Sequence, residues 1–375
     1  MAERIKPYNR QKNILTIIDL AITAGYFYLL LGMGWVKPLA NWAREVFTNP
    51  YAQFFVFSFL MGSGLTLIKL PITIYSEFFL EHKYGLSRQT FGQWLWDAIK
   101  SLLVSLTITL PLLLAFYGLL KASPHWWWLY LGGVVVVFTV ILARIAPVLI
   151  FPLFYRFTPL ENPDLKDRLH QLLERFGFQL EGLYQFDLSK KTIKANAAFT
   201  GMGKTRRIIL GDTLLQRFTP EEIEFVVAHE VGHFVYRHLL KGIVVNLLLV
   251  FAGLYLVHLA YNWVLASHQI TQLTQLEYLP YLGLFLFLFS LITMPVSNAL
   301  SRHFEFQADA FAVSALKQPE TGVKALQKLA ELNLTDPEPH PVIEFIFHSH
   351  PSITRRVQAI QRLSGGRKHD VVFAK

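Results

Sequence analysis

Apolar residues run along this chain in long unbroken stretches, not in the short alternating or helical periods of a soluble core. Six stretches are long enough to cross a bilayer as helices, at about Ile14–Val36, Tyr51–Ile74, Leu102–Leu120, Trp126–Phe151, Ile243–Leu265 and Tyr278–Val296. Between the fourth and fifth lies a polar stretch of roughly 90 residues, and after the sixth another of roughly 80. The first stretch follows a basic start (Arg4, Lys6, Arg10, Lys12). Its apolar run is too long for a cleaved signal and no small-x-small site follows it cleanly, so it reads as a retained anchor. The pattern predicts a mainly α, multi-pass membrane protein. Its expected parts are a four-span region over 1–155, a polar region over 156–242, two further spans over 243–297, a helical polar region over 298–363 and a flexible tail over 364–375.

Composition agrees. Only 16% of the 375 residues are charged, against about a quarter in soluble domains. The 35 Lys and Arg are unevenly placed: four in the N-terminal start, three between Glu77 and Lys100, 13 from Arg156 to Lys241 and ten from Arg302 to Lys375. The loops on the other side hold only Lys37, Arg44 and Lys121. Basic loops stay cytoplasmic, so both termini and both polar regions are expected there. The excess of basic residues is thus topology; no basic stripe interleaved with aromatics points to nucleic acid. The absence of cysteine removes disulfides, thiol nucleophiles and thiolate metal ligands. Asp19, Lys69 and Arg144 fall in the cytoplasmic third of their spans, either snorkelling to the interface or lining a wet cavity. Pro111 and Pro295 should kink their spans or mark their ends.

Candidate chemistry lies in the first polar region. Thr219-Pro220-Glu221-Glu222 reads as a helix start, with Thr219 as N-cap, Pro220 in the first position and Glu222 closing a capping box. The helix should run on through His229-Glu230-Val231-Gly232-His233. Four residues advance a helix by ~400°, so His229 and His233 project from one face, one turn apart. Two imidazoles so placed can hold one Zn²⁺, with Glu230 beside a water it could deprotonate. Gly232 costs about 1 kcal/mol against Ala inside a helix, and suits a place where a substrate strand or a neighbouring helix comes close. His238 lies ~140° round from His233, off the ligand face, which suggests packing. No break shows between Phe234 and Lys241.

A hydrolytic zinc needs a third protein ligand. After the sixth span, Asn298 to Ala312 reads as a helix on which Glu305 and Asp309 share a face. One carboxylate can bind zinc while the other orients a ligand histidine. A solvated charged face is the plainer alternative. Phe304, Phe306, Ala308 and Phe311 argue for burial, however, and buried carboxylates need partners.

Further motifs accompany these residues. They are Glu77-Phe78-Phe79-Leu80-Glu81-His82-Lys83-Tyr84-Gly85-Leu86, Ile145-Ala146-Pro147, Asn196-Ala197-Ala198-Phe199-Thr200-Gly201, Arg207 to Leu215, Ser301 to Asp309 and Ser349-His350-Pro351 with Arg356. On them the chain resembles the CAAX prenyl protease 1 family of integral-membrane zinc metalloproteases. The resemblance implies a helical barrel around a water-filled chamber, with the zinc helix in its lid and a gluzincin-type protease region containing a small α+β part. It implies one zinc per chain on His229, His233 and Glu305, with Glu230 as general base. Asp309 and Arg302 would support the ligands from behind, Asn196 would lie near the substrate backbone, and His350 would help bind the scissile carbonyl. Only Gln216 to Ala228 separates Leu215 from His229, and six spans stand where eukaryotic members carry seven, so the chain resembles a compact, bacterial-type member.

The expected activity is zinc-dependent endoproteolysis in a lipid bilayer, as CAAX-type processing, membrane protein quality control or both. The substrates would be peptides or proteins, prenylated ones among them. The expected site is the bacterial plasma membrane, with the endoplasmic reticulum as alternative. A non-catalytic scaffold or chaperone is the rival class; an intact Glu230 weighs against it. A zinc transporter is weaker, because the ligands lie outside the spans.

Overall fold

The computed structural model describes residues 2–177, 181–200 and 207–365; Gly201 of the sequence motif and the tail from 366 lie outside the described residues. Six long helices form the membrane part: Ala2–Gly32 (α1), Pro50–Ile74 (α3), Phe91–Ala122 (α5), Trp127–Ile145 (α6), His238–Ser267 (α10) and Leu279–Leu316 (α11). All six are long and apolar enough to span a bilayer. They pack in the cyclic order α1, α3, α5, α6, α10, α11 and back to α1. A closed ring of this kind is a helical barrel.

Further elements pack at both ends of the ring. At one, the short helix Val36–Val46 (α2) sets Ala40 and Ala43 into a core with Phe57, Trp127 and Tyr261. The Tyr261 hydroxyl donates to the Leu273 carbonyl at 2.7 Å, and the Trp127 indole donates to His258 at 3.0 Å, so both polar tips find partners. At the other end sits a mixed layer of sheet and helices. Strands Phe157–Pro159 (β1), Gly182–Phe186 (β2), Ala197–Thr200 (β3) and Arg207–Gly211 (β4) pair in the order β1-β2-β4-β3, antiparallel except for β2 with β4. Among the described residues β3 is an edge. Helices Leu80–Lys83 (α4), Pro163–Arg175 (α7), Asp212–Arg217 (α8), Pro220–Val235 (α9), Pro319–Asn333 (α12), Pro341–Phe347 (α13) and Ile353–Gly365 (α14) complete this part. Its core joins Leu169 and Leu173 of α7 to Ile208 and Leu210 of β4, Val227 and Ala228 of α9, and Phe311 and Ala312 of α11.

Several expectations change here. The basic start is the first turns of α1, which begins at Ala2. The sixth span and the acidic helix beyond it are one 38-residue helix, α11. Pro111 and Pro295 lie inside α5 and α11 and end neither; a membrane helix tolerates proline when neighbours satisfy the freed carbonyl. Asp19 and Lys69 pair with each other at 2.9 Å, tying α1 to α3.

Among the described residues, the most extensive helix contact lies between α9 and α11. Gly232 makes it possible: a Cβ there would stand 3.0 Å from the Ala308 Cα and 3.1 Å from the Phe311 Cβ. Backbone cannot yield as a flexible side chain can. Gly232→Val is therefore expected to force the helices apart at a cost of about 1–3 kcal/mol, read as a lower thermal midpoint in detergent. An unchanged midpoint would show that the contact is not under compression.

Candidate metal centre

The α9 helix starts as its sequence dictates. The Thr219 hydroxyl accepts from the Glu222 N–H at 3.3 Å, and the Glu222 carboxylate accepts from the Thr219 N–H at 2.9 Å. This fixes where the first turn begins and so which way His229 and His233 face. Both rings point at Glu305 of α11: His229 Nε2 is 3.5 Å and His233 Nε2 3.2 Å from its carboxylate, and the two Nε2 atoms are 3.1 Å apart. Ligands about 2.0–2.1 Å from a tetrahedral metal lie about 3.3 Å from one another. Three lone-pair donors at 3.1–3.5 Å thus fit one metal ion, and the set has two nitrogens, one carboxylate and no thiolate.

Asp309, 1% exposed, lies behind the donors. Its Oδ1 accepts the His229 Nδ1–H at 2.9 Å, which leaves the Nε2 lone pair facing Glu305 and His233. Arg356 of α14 donates to both Asp309 oxygens, at 2.7 and 2.8 Å, and stands 3.2 Å from Glu305. Burial opposes a charge on His229, but the bond to Asp309 and its charge outweigh that and hold the ring above the ordinary imidazole pKa. A metal must displace that proton.

His233 is held from the other side by His238, which stays outside the donor set as expected but comes closer to it than an unbroken helix would bring it. The chain does not run straight from α9 into α10: Arg237 is left-handed, with φ 54°, and breaks the helix. The break turns His238 back, so that its Nδ1 lies 3.0 Å from His233 Nδ1 while its Nε2–H donates to the Gln307 side-chain Oε1 at 2.8 Å. With Nε2 of His238 protonated, its Nδ1 accepts and His233 Nδ1 donates, which again frees an Nε2 lone pair.

Among the remaining candidates, His350 is exposed and its Nδ1 lies 3.0 Å from Glu305. Arg302 bonds elsewhere, to backbone. Its Nη1 donates to the carbonyls of Glu344, Phe345 and His348, at 2.9, 3.3 and 2.6 Å, so it fastens the end of α13 and the turn that carries His350. Asn196 is exposed just ahead of β3, and its carbonyl accepts from the Gly211 N–H at 2.9 Å. Asn196, His229, Glu230, Glu305 and His350 all line one open cavity of about 500 Å³. Glu230 and His233 also line a second, of about 460 Å³, that opens between α10 and α11. Sequence reasoning missed Arg356 and His238 as parts of this site. The Arg356 guanidinium was visible only as a motif residue, and His238 was hidden by the break at Arg237.

Comparison with known proteins places these residues in a family. A model described as "Peptidase family M48" matches residues 159–364. A second, "CAAX prenyl protease N-terminal, five membrane helices", matches residues 2–156. The chain is 32% identical to the metalloprotease YhfN of Bacillus subtilis, over 96% of this chain and 86% of that one. It is 31% identical to CAAX prenyl protease 1 of Saccharomyces cerevisiae, over 85% and 74% of the two chains. The crystal structure of S. mikatae Ste24p superposes with a TM-score of 0.85 at 28% identity, covering 96% of this chain and 89% of that one.

Replacing Asp309 by Asn would swap the acceptor behind His229 for a weaker one. We expect Asp309→Asn to weaken metal binding about 10- to 100-fold, measured by competition with a chromophoric chelator. In the parent protein affinity should fall as the pH drops through the raised His229 pKa, because the proton and the metal compete for the ring. Unchanged affinity in the variant would detach Asp309 from the metal centre.

Proposed function

The chain belongs to peptidase family M48 and is a multi-pass membrane metalloendopeptidase, and from that premise we propose that it cuts extended peptides at a zinc ion held by His229, His233 and Glu305. The observation that carries this reading is the convergence of three donors, from two helices, on a space of tetrahedral size beside Glu230. When bound, the metal acidifies a water and polarises the scissile carbonyl. Glu230 takes up the proton of the attacking water and returns it to the leaving amine. His350, at the cavity mouth, faces the carbonyl oxygen and stabilises its developing charge. Asn196 and the edge of β3 align the substrate backbone, since an exposed strand edge takes an extended peptide as a further strand. Asp309 and His238 hold the two ligand rings, Arg356 holds the carboxylates, and Arg302 holds the turn of His350.

CAAX-type cleavage, quality-control cleavage or both fit this site, with broad endoproteolysis as the main activity and prenylated C termini among the substrates. The Lys and Arg bias of the loops supports a cytoplasmic catalytic face, in a bacterial plasma membrane.

Two measurements test the reading. Glu230→Gln should retain one zinc per chain and lose cleavage by several orders of magnitude; turnover like that of the parent would remove Glu230 as the base. A farnesylated CAAX peptide and its unprenylated twin should both be cut by the parent enzyme. Cleavage of the farnesylated peptide alone would replace broad specificity with dedicated processing.

A further inference from the structure

Glu81 lies in the most extended of the N-terminal sequence motifs, and nothing in the metal centre uses it. It is 9% exposed, on α4 at the cytoplasmic end of the second span. Its carboxylate accepts the Tyr8 hydroxyl at 2.7 Å and pairs with Lys12 and Lys194, each at 2.8 Å. A buried carboxylate with three donors is costly to assemble unless each is held in place. Two of the donors come from α1. Ile5, Tyr8, Asn9 and Lys12 follow the i, i+3, i+4, i+7 spacing of one helix face, and Ile5 and Tyr8 are buried against Leu80, Leu86 and Leu334.

The third donor leads to the active site. Lys194 stands two residues before Asn196, and its carbonyl accepts the Thr213 hydroxyl at 2.7 Å. The next residue, Ala195, is gripped by one side chain at both backbone groups: Asn333 accepts its N–H at 2.9 Å and donates to its carbonyl at 3.3 Å. The same face of α1 reaches the grip as well, because Asn9 donates to the Leu334 carbonyl at 2.7 Å and itself lines the cavity of Glu230. Two separate lines, Tyr8–Glu81–Lys194 and Asn9–Leu334–Asn333, therefore run from the first turns of the first span, one to Lys194 and the other to Ala195.

We infer that Glu81, with the Tyr8 and Asn9 face of α1, is a positioning device that fixes the segment Lys194–Asn196 at the lip of β3 and so sets how well a peptide binds there. This rests on the proposed use of Asn196 and β3 as the peptide-binding edge. Loss of the Glu81 charge would leave Lys12 and Lys194 facing each other with no counter-charge, and the segment would be pushed from its place. The metal donors are on other elements and would stay.

The test uses the full-length enzyme in detergent. Glu81→Gln is expected to raise KM for both the farnesylated and unprenylated peptides about tenfold, with kcat and zinc content within about twofold of the parent. Amide exchange at Ala195 should speed up at least about tenfold without substrate. Glu81→Asp should recover part of the KM, and Lys194→Met added to Glu81→Gln should also recover part of it, since it removes the charge that Lys12 repels. Unchanged KM and exchange in Glu81→Gln, with an active parent enzyme, would overturn the inference. So would a loss of zinc, kcat and thermal midpoint together, which marks a merely structural residue. A parent enzyme that binds zinc and cuts neither peptide would instead overturn the proposed function, and the Ala195 exchange would still decide whether Glu81 holds the segment.

Discussion

Everything at the metal centre depends on two helices being able to touch at their backbones. His229 and His233 belong to α9 and Glu305 to α11, so the donor set exists only where those helices meet. A side chain at Gly232 would insert an atom 3.0 Å from the Ala308 Cα. That would widen a set whose donors are 3.1–3.5 Å apart. Ligand spacing tolerates a few tenths of an ångström, so the glycine's helix penalty of about 1 kcal/mol is small against a lost ligand. Because α11 is also the sixth span, the same contact joins the chemistry to the membrane barrel.

Charge is the second constraint. Glu305 and Asp309 are both almost fully buried, and two carboxylates a helical turn apart repel strongly in low dielectric. Arg356 stands between them at 2.7–3.2 Å. One guanidinium serves both because its planar fork can bond Asp309 through two nitrogens while a third faces Glu305. A lysine could not do this, being a single point charge. Arg356 thus makes the buried pair tolerable.

Much of this was legible in the sequence where the rule was local. The capping box at Thr219, the shared face of His229 and His233, the shared face of Glu305 and Asp309 and the six spans all follow from periodicity over a turn or a span length. What could not be read depends on tertiary placement. Nothing local marks Arg237 as left-handed, since arginine has no preference for that conformation, and a straight-helix assumption sent His238 away from the site. Arg302 and Arg356 look alike in the sequence. Only the fold shows that one reaches the carboxylates and the other the carbonyls of a turn. The closure of the ring, which brings α11 back to α1, is likewise invisible to any window of residues.

The position of Glu230 between two cavities limits what can reach it. One opens past Asn196 and His350, the other between α10 and α11 beside Leu239, Ile243 and Phe304. Each holds about 500 Å³ or less, the size of a small-molecule site and room for only a few residues of extended chain. Open clefts of this size take a stretch of extended chain more readily than a folded surface. The proposed use of the β3 edge would favour the same shape, because strand addition needs several consecutive residues with free backbone groups. On the proposed use of the site, selection begins with whether a segment can be extended, before any side chain is read. An extended segment of any origin meets that requirement, whatever its side chains.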